Sequence, residues 1–141
     1  MKQNIWFLFF VIAIIGLISA FTVHIRSLMG IQAPYATWVL HIGIFVVWVP
    51  FLIRAKRNNP GVNRLQLKAM FKYAPVRMKV ISAACWVYGF VSFFIYSNQV
   101  PRGTTLSQDA ALVLFSGGWI AFYGVAAGGL YPEQEAVEEN A

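Results

Sequence analysis

Four long apolar runs, separated by short polar connections, dominate the pattern of hydrophobic and polar positions along the chain. None of these runs contains Asp, Glu, Lys or Arg, and they are 17 to 22 residues long. At about 1.5 Å of rise per residue, helices of that length span most or all of the roughly 30 Å hydrocarbon core of a bilayer. The pattern therefore predicts an all-α integral membrane protein, a single bundle of four transmembrane helices within residues 1–131. The predicted spans are residues 5–23, 36–53, 80–96 and 110–131.

The overall composition supports a membrane protein. The 141 residues are 59% hydrophobic and 11% charged, whereas an ordinary soluble domain is about 25% charged. A net charge of +6 could suggest nucleic acid, but the charges are concentrated between apolar runs, so we expect lipid and not nucleic acid as the partner. The single cysteine, Cys85, excludes an intrachain disulfide and a CxxC motif.

The basic segment, residues 54–79, holds eight of the eleven Lys and Arg residues and no acidic residue. We expect it to contact anionic lipid headgroups. Within it, residues 63–73 are predicted to form a short basic amphipathic helix in the central cytoplasmic loop, lying at the headgroups. The alternative is an irregular loop that only sets the topology. The candidate lipid-binding residues are Arg54, Lys56, Arg57, Arg64, Lys68, Lys72, Arg77 and Lys79.

The distribution of basic residues predicts the orientation of the bundle. Four spans put the N-terminus, the basic segment and the C-terminus on one side, where Lys2 raises the basic count to nine. The other side has only Arg26 and Arg102. The positive-inside rule then predicts cytoplasmic termini (N-in/C-in) and a multi-pass protein of the cytoplasmic (inner) membrane. The acidic tail, residues 132–141, is expected to be disordered.

The first apolar run allows a second interpretation as a cleaved signal peptide. Lys2 precedes its apolar core, and Ser19 and Ala20 could end a cleavage site. We favour a retained span because the apolar run continues past Ala20 and because Ile18 is bulky where a small residue is preferred. The topology of the other spans is the same in both interpretations.

Small residues recur at helical spacing in the spans, which allows helices to approach closely in lipid. The third span has Ser82, Cys85, Gly89 and Ser92 on one face. We favour packing inside the bundle over an exposed face for a dimer or a partner. The helix-packing residues predicted for the fourth span are Gly117, Ala121, Gly124 and Gly128.

Two histidines are the candidate cofactor ligands. His24 ends the first span and His41 lies roughly 8 Å into the second, so both belong to the outer leaflet and could ligate a haem or a metal. The alternative places His24 in headgroup water and His41 in a hydrogen bond to a carbonyl or hydroxyl group of the bundle, such as that of Tyr88 or Ser92. A zinc site needs three or four ligands, and Asp109 is the nearby carboxylate. Asp109 is also the predicted N-cap of the fourth helix.

No catalytic motif is found in the sequence. The spans lack the intramembrane acids typical of ion-coupled transporters, and no GxSxG or phosphate-loop motif is present. The leading hypothesis is a non-enzymatic accessory or scaffold subunit that contacts lipid, with another membrane protein or a second copy as further candidate partners.

Two alternatives to an accessory subunit remain open. One is a haem- or metal-binding redox protein that uses His24 and His41. The other is a small transporter or channel for an uncharged or lipophilic substrate, with a polar path along Ser82 and Ser92. A lipid, quinone or drug pocket is a related hypothesis, and its lining would be Trp86, Tyr88, Trp119 and Tyr123.

Overall fold

Four long helices and one short helix make up the fold. The computed structural model describes residues 2–32, 34–60, 66–99, 103 and 107–132. Its four long helices are long and apolar enough to cross a membrane, which confirms the four predicted spans by length and composition. The first three extend beyond their apolar runs at both ends. The helices are α1 (Lys2–Leu28), α2 (Pro34–Arg57), α3 (Leu67–Met70), α4 (Val76–Gln99) and α5 (Gln108–Gly129).

The amphipathic helix predicted over residues 63–73 is not confirmed. Residues 61–65, including Arg64, lie outside the described residues, and α3 has four residues followed by a turn at 71–73. The apolar side chains of Met70 and Phe71 pack against the core. Because these two residues are partly buried by protein, the connection folds back onto the end of the bundle. The side of the membrane on which it lies stays a prediction.

Helix α5 is the centre of the bundle. It contacts α1, α2 and α4. In its most apolar stretch 72% of the residues are buried, against 22% in each of the other three long helices. The exposed faces of α1, α2 and α4 carry large apolar side chains, as expected for helices whose outer surface meets lipid. Helix α1 continues unbroken past Ser19, and Ala20 is buried in the core.

Small residues on α4 and α5 allow this arrangement. A Cβ atom added to Gly89 would lie 2.6 Å from both the Ala121 Cβ and the Gly117 carbonyl oxygen. Gly124 faces Cys85, and farther along α5 Gly128 faces Ser82. The small-residue faces of the third and fourth spans therefore pack against each other. The Ser82 hydroxyl also donates a hydrogen bond of 2.7 Å to the Gly124 carbonyl oxygen.

The opposite side of α5 packs a large side chain between two further glycines. Tyr123 is buried and lies against Gly16 of α1 and Gly43 of α2. Its hydroxyl donates to the Leu40 carbonyl oxygen at 2.8 Å. One tyrosine thus joins α5 to both neighbouring helices.

Replacing Gly124 by isoleucine should lower the thermal unfolding midpoint, because a side chain there would overlap Cys85 and push α4 away from α5. Overpacking of this kind costs about 1–3 kcal/mol of stability. Gly118→Ile is the matched control, since a Cβ at Gly118 meets nothing within 4 Å. The midpoints are measured by size-exclusion chromatography of heated, detergent-solubilised protein. Equal midpoints for the two variants would contradict the packing described here.

Candidate functional site

One end of the bundle carries a group of exposed basic side chains, which we call the basic end. Two of them end α2, one lies on α3, one lies in the turn after it, and two lie in the first turns of α4. The fold brings these segments together because α3 packs on the end of α2 and its turn on the core. The residues of the basic end are Lys56, Arg57, Lys68, Lys72, Arg77 and Lys79.

Arg54 is predicted from the sequence to contact lipid headgroups, but in the structure it is buried. Its side chain is only 4% exposed, and Nη1 donates a hydrogen bond of 2.8 Å to the Leu130 carbonyl oxygen. The guanidinium carbon lies 5.4 Å from the ring centre of Trp6 and 4.9 Å from that of Tyr73. Carbonyl groups at a helix C-terminus lack intrahelical partners and favour a cation, so Arg54 caps α5. It thereby connects four segments of the chain.

The Arg54 cap should be essential to stability. Arg54→Met keeps much of the side-chain length but leaves the Leu130 carbonyl without this donor and removes the cation from two aromatic rings. A hydrogen bond to a charged group contributes about 1.5–3 kcal/mol, so the thermal midpoint in detergent should fall clearly. Arg57→Met, one turn on and exposed, is the control and should change it little. Equal thermal midpoints for the two variants would show that the cap does not stabilise the fold.

His24 is buried in the bundle and is not in headgroup water. It is 1% exposed, and Nδ1 lies 2.8 Å from the Ser116 hydroxyl oxygen. Ser116 donates its own proton to the Val113 carbonyl oxygen at 3.1 Å. With the hydroxyl proton used in this way, His24 Nδ1 donates to Ser116 and the ring lone pair is on Nε2; in the other tautomer the hydroxyl donates to Nδ1. This Nε2 atom is buried and has no hydrogen-bond partner among the described residues.

His41 also bonds to α5, through a different residue. Trp119 Nε1 donates to His41 Nδ1 at 3.1 Å, and the rings of Phe115 and Trp119 meet the imidazole edge to face. The partner is therefore Trp119 and not Tyr88 or Ser92. With Nδ1 accepting, the neutral ring carries its proton on Nε2. A haem or metal shared by the two histidines stays a prediction, and it would require His41 to give up the bond from Trp119 or its proton.

The carboxylate proposed as a third ligand has another role in the structure. Asp109 accepts a hydrogen bond of 2.9 Å from Gln32 Nε2, which ties the start of α5 to the connection after α1. It lies in the first helical turn, and the N-cap is Ser107, whose hydroxyl accepts from the Ala110 amide at 3.2 Å. The prediction of Asp109 as N-cap is wrong because α5 begins before its apolar run. No group of three His, Cys, Asp or Glu side chains suited to a metal occurs among the described residues.

The polar path proposed for a transporter lies inside a closed helix interface. Ser82 and Ser92 are both buried between α4 and α5. The Ser82 hydroxyl is bonded to Gly124, and the Ser92 hydroxyl, packed beside Gly117, has no partner among the described residues. Tight packing on both serines argues against a solvated pathway here.

The four aromatic residues proposed to line one pocket have separate environments. Trp119 and Tyr123 are 2% exposed and face α2. Tyr88 is 42% exposed, and the centre of its ring lies 5.6 Å from that of His24. Trp86 is on the outer surface of α4, where its ring lies 4.5 Å from that of Phe90. Of these four residues, Trp86 lines two surface cavities of α4, and the other three do not line them.

Comparisons of the chain with known protein families, curated proteins and solved structures find no match. Four helices of transmembrane length and composition, with the basic side chains gathered at one end, have the make-up of a small multi-pass membrane protein. This is the class that the fold and the site define.

Proposed function

We propose that the protein is a non-enzymatic accessory or scaffold subunit of the cytoplasmic (inner) membrane. In this proposal the basic end binds the anionic headgroups of the cytoplasmic leaflet, and an outer helix face contacts another membrane protein. The observation that carries the proposal is the gathering of six exposed basic side chains at one end of the bundle. Arg54, the buried exception, holds that end together through its contact with Leu130.

The charge of the basic end is sufficient for a preference among lipids. Each Lys or Arg near an anionic leaflet contributes about 1 kcal/mol of attraction. The attraction decreases with salt, because the Debye length shortens from about 10 Å at 0.1 M to about 3 Å at 1 M. The basic end should therefore enrich anionic lipid around the protein, and the same charge favours its placement in the cytoplasm.

Neutralising part of the basic end should remove this enrichment. The variant replaces Lys56, Lys68, Lys72 and Arg77 by glutamine, and its control exchanges lysine and arginine at the same positions. Energy transfer from the protein's tryptophans to pyrene-labelled phosphatidylglycerol, in phosphatidylcholine vesicles, measures the enrichment. The natural protein and the control should show salt-sensitive enrichment, and the neutral variant should show little. Enrichment that survives neutralisation would contradict the proposed role of the basic end.

The outer face of α4 is the candidate surface for a protein partner. Helix α4 packs chiefly on α5, and its outer face carries a row of exposed aromatic rings at four-residue spacing. The ring centres of Trp86 and Phe90 are 4.5 Å apart, and those of Phe90 and Phe94 are 6.4 Å apart. Aromatic side chains, including Phe and Trp, are enriched at protein–protein interfaces.

A stoichiometric membrane protein should accompany this protein through purification from native membranes in a gentle detergent. Mass spectrometry of the eluate identifies it. Substituting Phe94 by alanine should reduce the recovery of that partner, whereas alanine at Phe7, exposed on α1, is the control. Recovery of the protein alone, in every gentle detergent tried, would contradict the accessory role.

A further inference from the structure

A lateral cleft of about 340 Å³ opens on the surface of the bundle between α4 and the adjoining α2, α3 and α5. Its volume lies at the lower end of the range for small-molecule sites. It begins at the basic end, because Lys79 in the first turns of α4 forms part of its lining. The other residues that matter to its chemistry are Trp48, Phe71, Ala83, Trp86 and Val125.

A second hollow of about 210 Å³ continues along the same side of α4. Trp86 lines both hollows, and the second one extends to Phe93. Gly118 forms part of its floor, where an added Cβ would meet no atom within 4 Å. We call the two hollows together the α4 cleft. From Lys79 to Phe93 it follows α4 for fourteen residues, or about 21 Å, which exceeds the roughly 15 Å of one hydrocarbon leaflet.

The lining is apolar between its charged end and its far end. The one hydroxyl in the first hollow, on Ser82, is already bonded to the Gly124 carbonyl oxygen at 2.7 Å. The indole N–H of Trp48 is bonded to the Phe122 carbonyl oxygen at 3.0 Å. Neither group needs a hydrogen bond from an occupant. The α4 cleft is apolar and has an exposed ammonium group at its headgroup end. It therefore suits a molecule with a long hydrocarbon chain and an anionic head.

We propose that the α4 cleft binds an anionic glycerophospholipid, with one acyl chain along the cleft and the phosphate at Lys79. This inference rests on the proposed function in one respect, which is that the basic end faces the anionic leaflet. It differs from headgroup enrichment because the lipid is held by a shaped apolar site. Burial alone does not hold the chain, because the surrounding lipid or detergent is equally apolar. The close fit of the chain in the cleft and the charge of Lys79 should keep this lipid bound when annular lipid is washed away.

The structure offers a matched pair of variants at adjacent positions of α4. Ala83 and Ala84 are both exposed, but only Ala83 lines the cleft. Leucine at position 83 should fill the cleft, whereas leucine at position 84 adds the same bulk outside it. Neither position is in the packed core, so both variants should fold. Gly118→Leu fills the second hollow where space is open, and it replaces Ala83→Leu if that variant fails to fold.

The experiment counts tightly held lipid. Full-length protein in mild detergent is mixed with equal amounts of phosphatidylglycerol and phosphatidylcholine of identical acyl chains, washed, and examined by native mass spectrometry. The natural protein and Ala84→Leu should retain phosphatidylglycerol, and Ala83→Leu should retain about tenfold less, equivalent to about 1.4 kcal/mol. Equal retention by the two leucine variants would overturn the proposal.

Substitutions of lysine test the headgroup contact. Lys79→Gln should reduce the preference for phosphatidylglycerol over phosphatidylcholine to near parity, and Lys68→Gln, exposed on α3 and outside the cleft lining, should leave it unchanged. Retention of phosphatidylcholine as strongly as phosphatidylglycerol by the natural protein would overturn the anionic assignment. The energy-transfer measurement in vesicles tests the basic end separately from the cleft, because the variant with four glutamines keeps Lys79. If that variant loses the enrichment of phosphatidylglycerol in vesicles but still holds phosphatidylglycerol in native mass spectrometry, the two proposals are supported independently.

Discussion

Close contact between the backbone of α5 and its neighbours is the interaction on which the rest of the structure depends. Lipid chains are as apolar as leucine, so apolar helices in a bilayer gain little by merely leaving lipid, and their association requires close packing. On one side, α4 can approach because Gly89, Gly117 and Gly124 remove the side chains that would keep the backbones apart. On the other, Gly16 and Gly43 accept the ring of Tyr123. With α5 enclosed in this way, its mid-helix polar side chains Ser116, Trp119 and Tyr123 face protein and not lipid.

Buried polar contacts then determine how the helices are rotated about α5. An unpaired polar group is costly in an apolar medium, and partners for the mid-bundle groups of α5 come from different helices. Ser116 bonds to His24 of α1, and Trp119 bonds to His41 of α2. A rotation of α1 by one residue would leave the His24 imidazole without Ser116, because neighbouring positions differ by about 100° on a helix of 3.6 residues per turn. Each histidine thus has one polar partner on α5, while His24 Nε2 has none among the described residues.

The features predictable from sequence are those determined by the bilayer itself. Charge-free runs of sufficient length predict the spans, and small residues at helical spacing predicted faces that the structure places in contact. Contacts between segments far apart in the chain could not be predicted from the sequence. The composition of a basic loop does not indicate which cation turns inward, and Arg54 does so because the end of α5, 76 residues farther along the chain, places the Leu130 carbonyl beside it. Similarly, Met70 and Phe71 are equally suited to lipid or protein, and the fold places them against protein.

The small residues that allow α4 to approach α5 also account for the cleft at the margin of their interface. Where a small residue faces the neighbouring backbone, as Gly89 does, close contact follows. Where one lies at the margin, as Gly118 and Ala83 do, the same lack of side-chain volume leaves an opening to lipid. Helix rotation decides between these outcomes, and the partners of α5 determine that rotation. Packing and lipid access are therefore two consequences of one compositional property, and Lys79 adds a charge at one end of the opening.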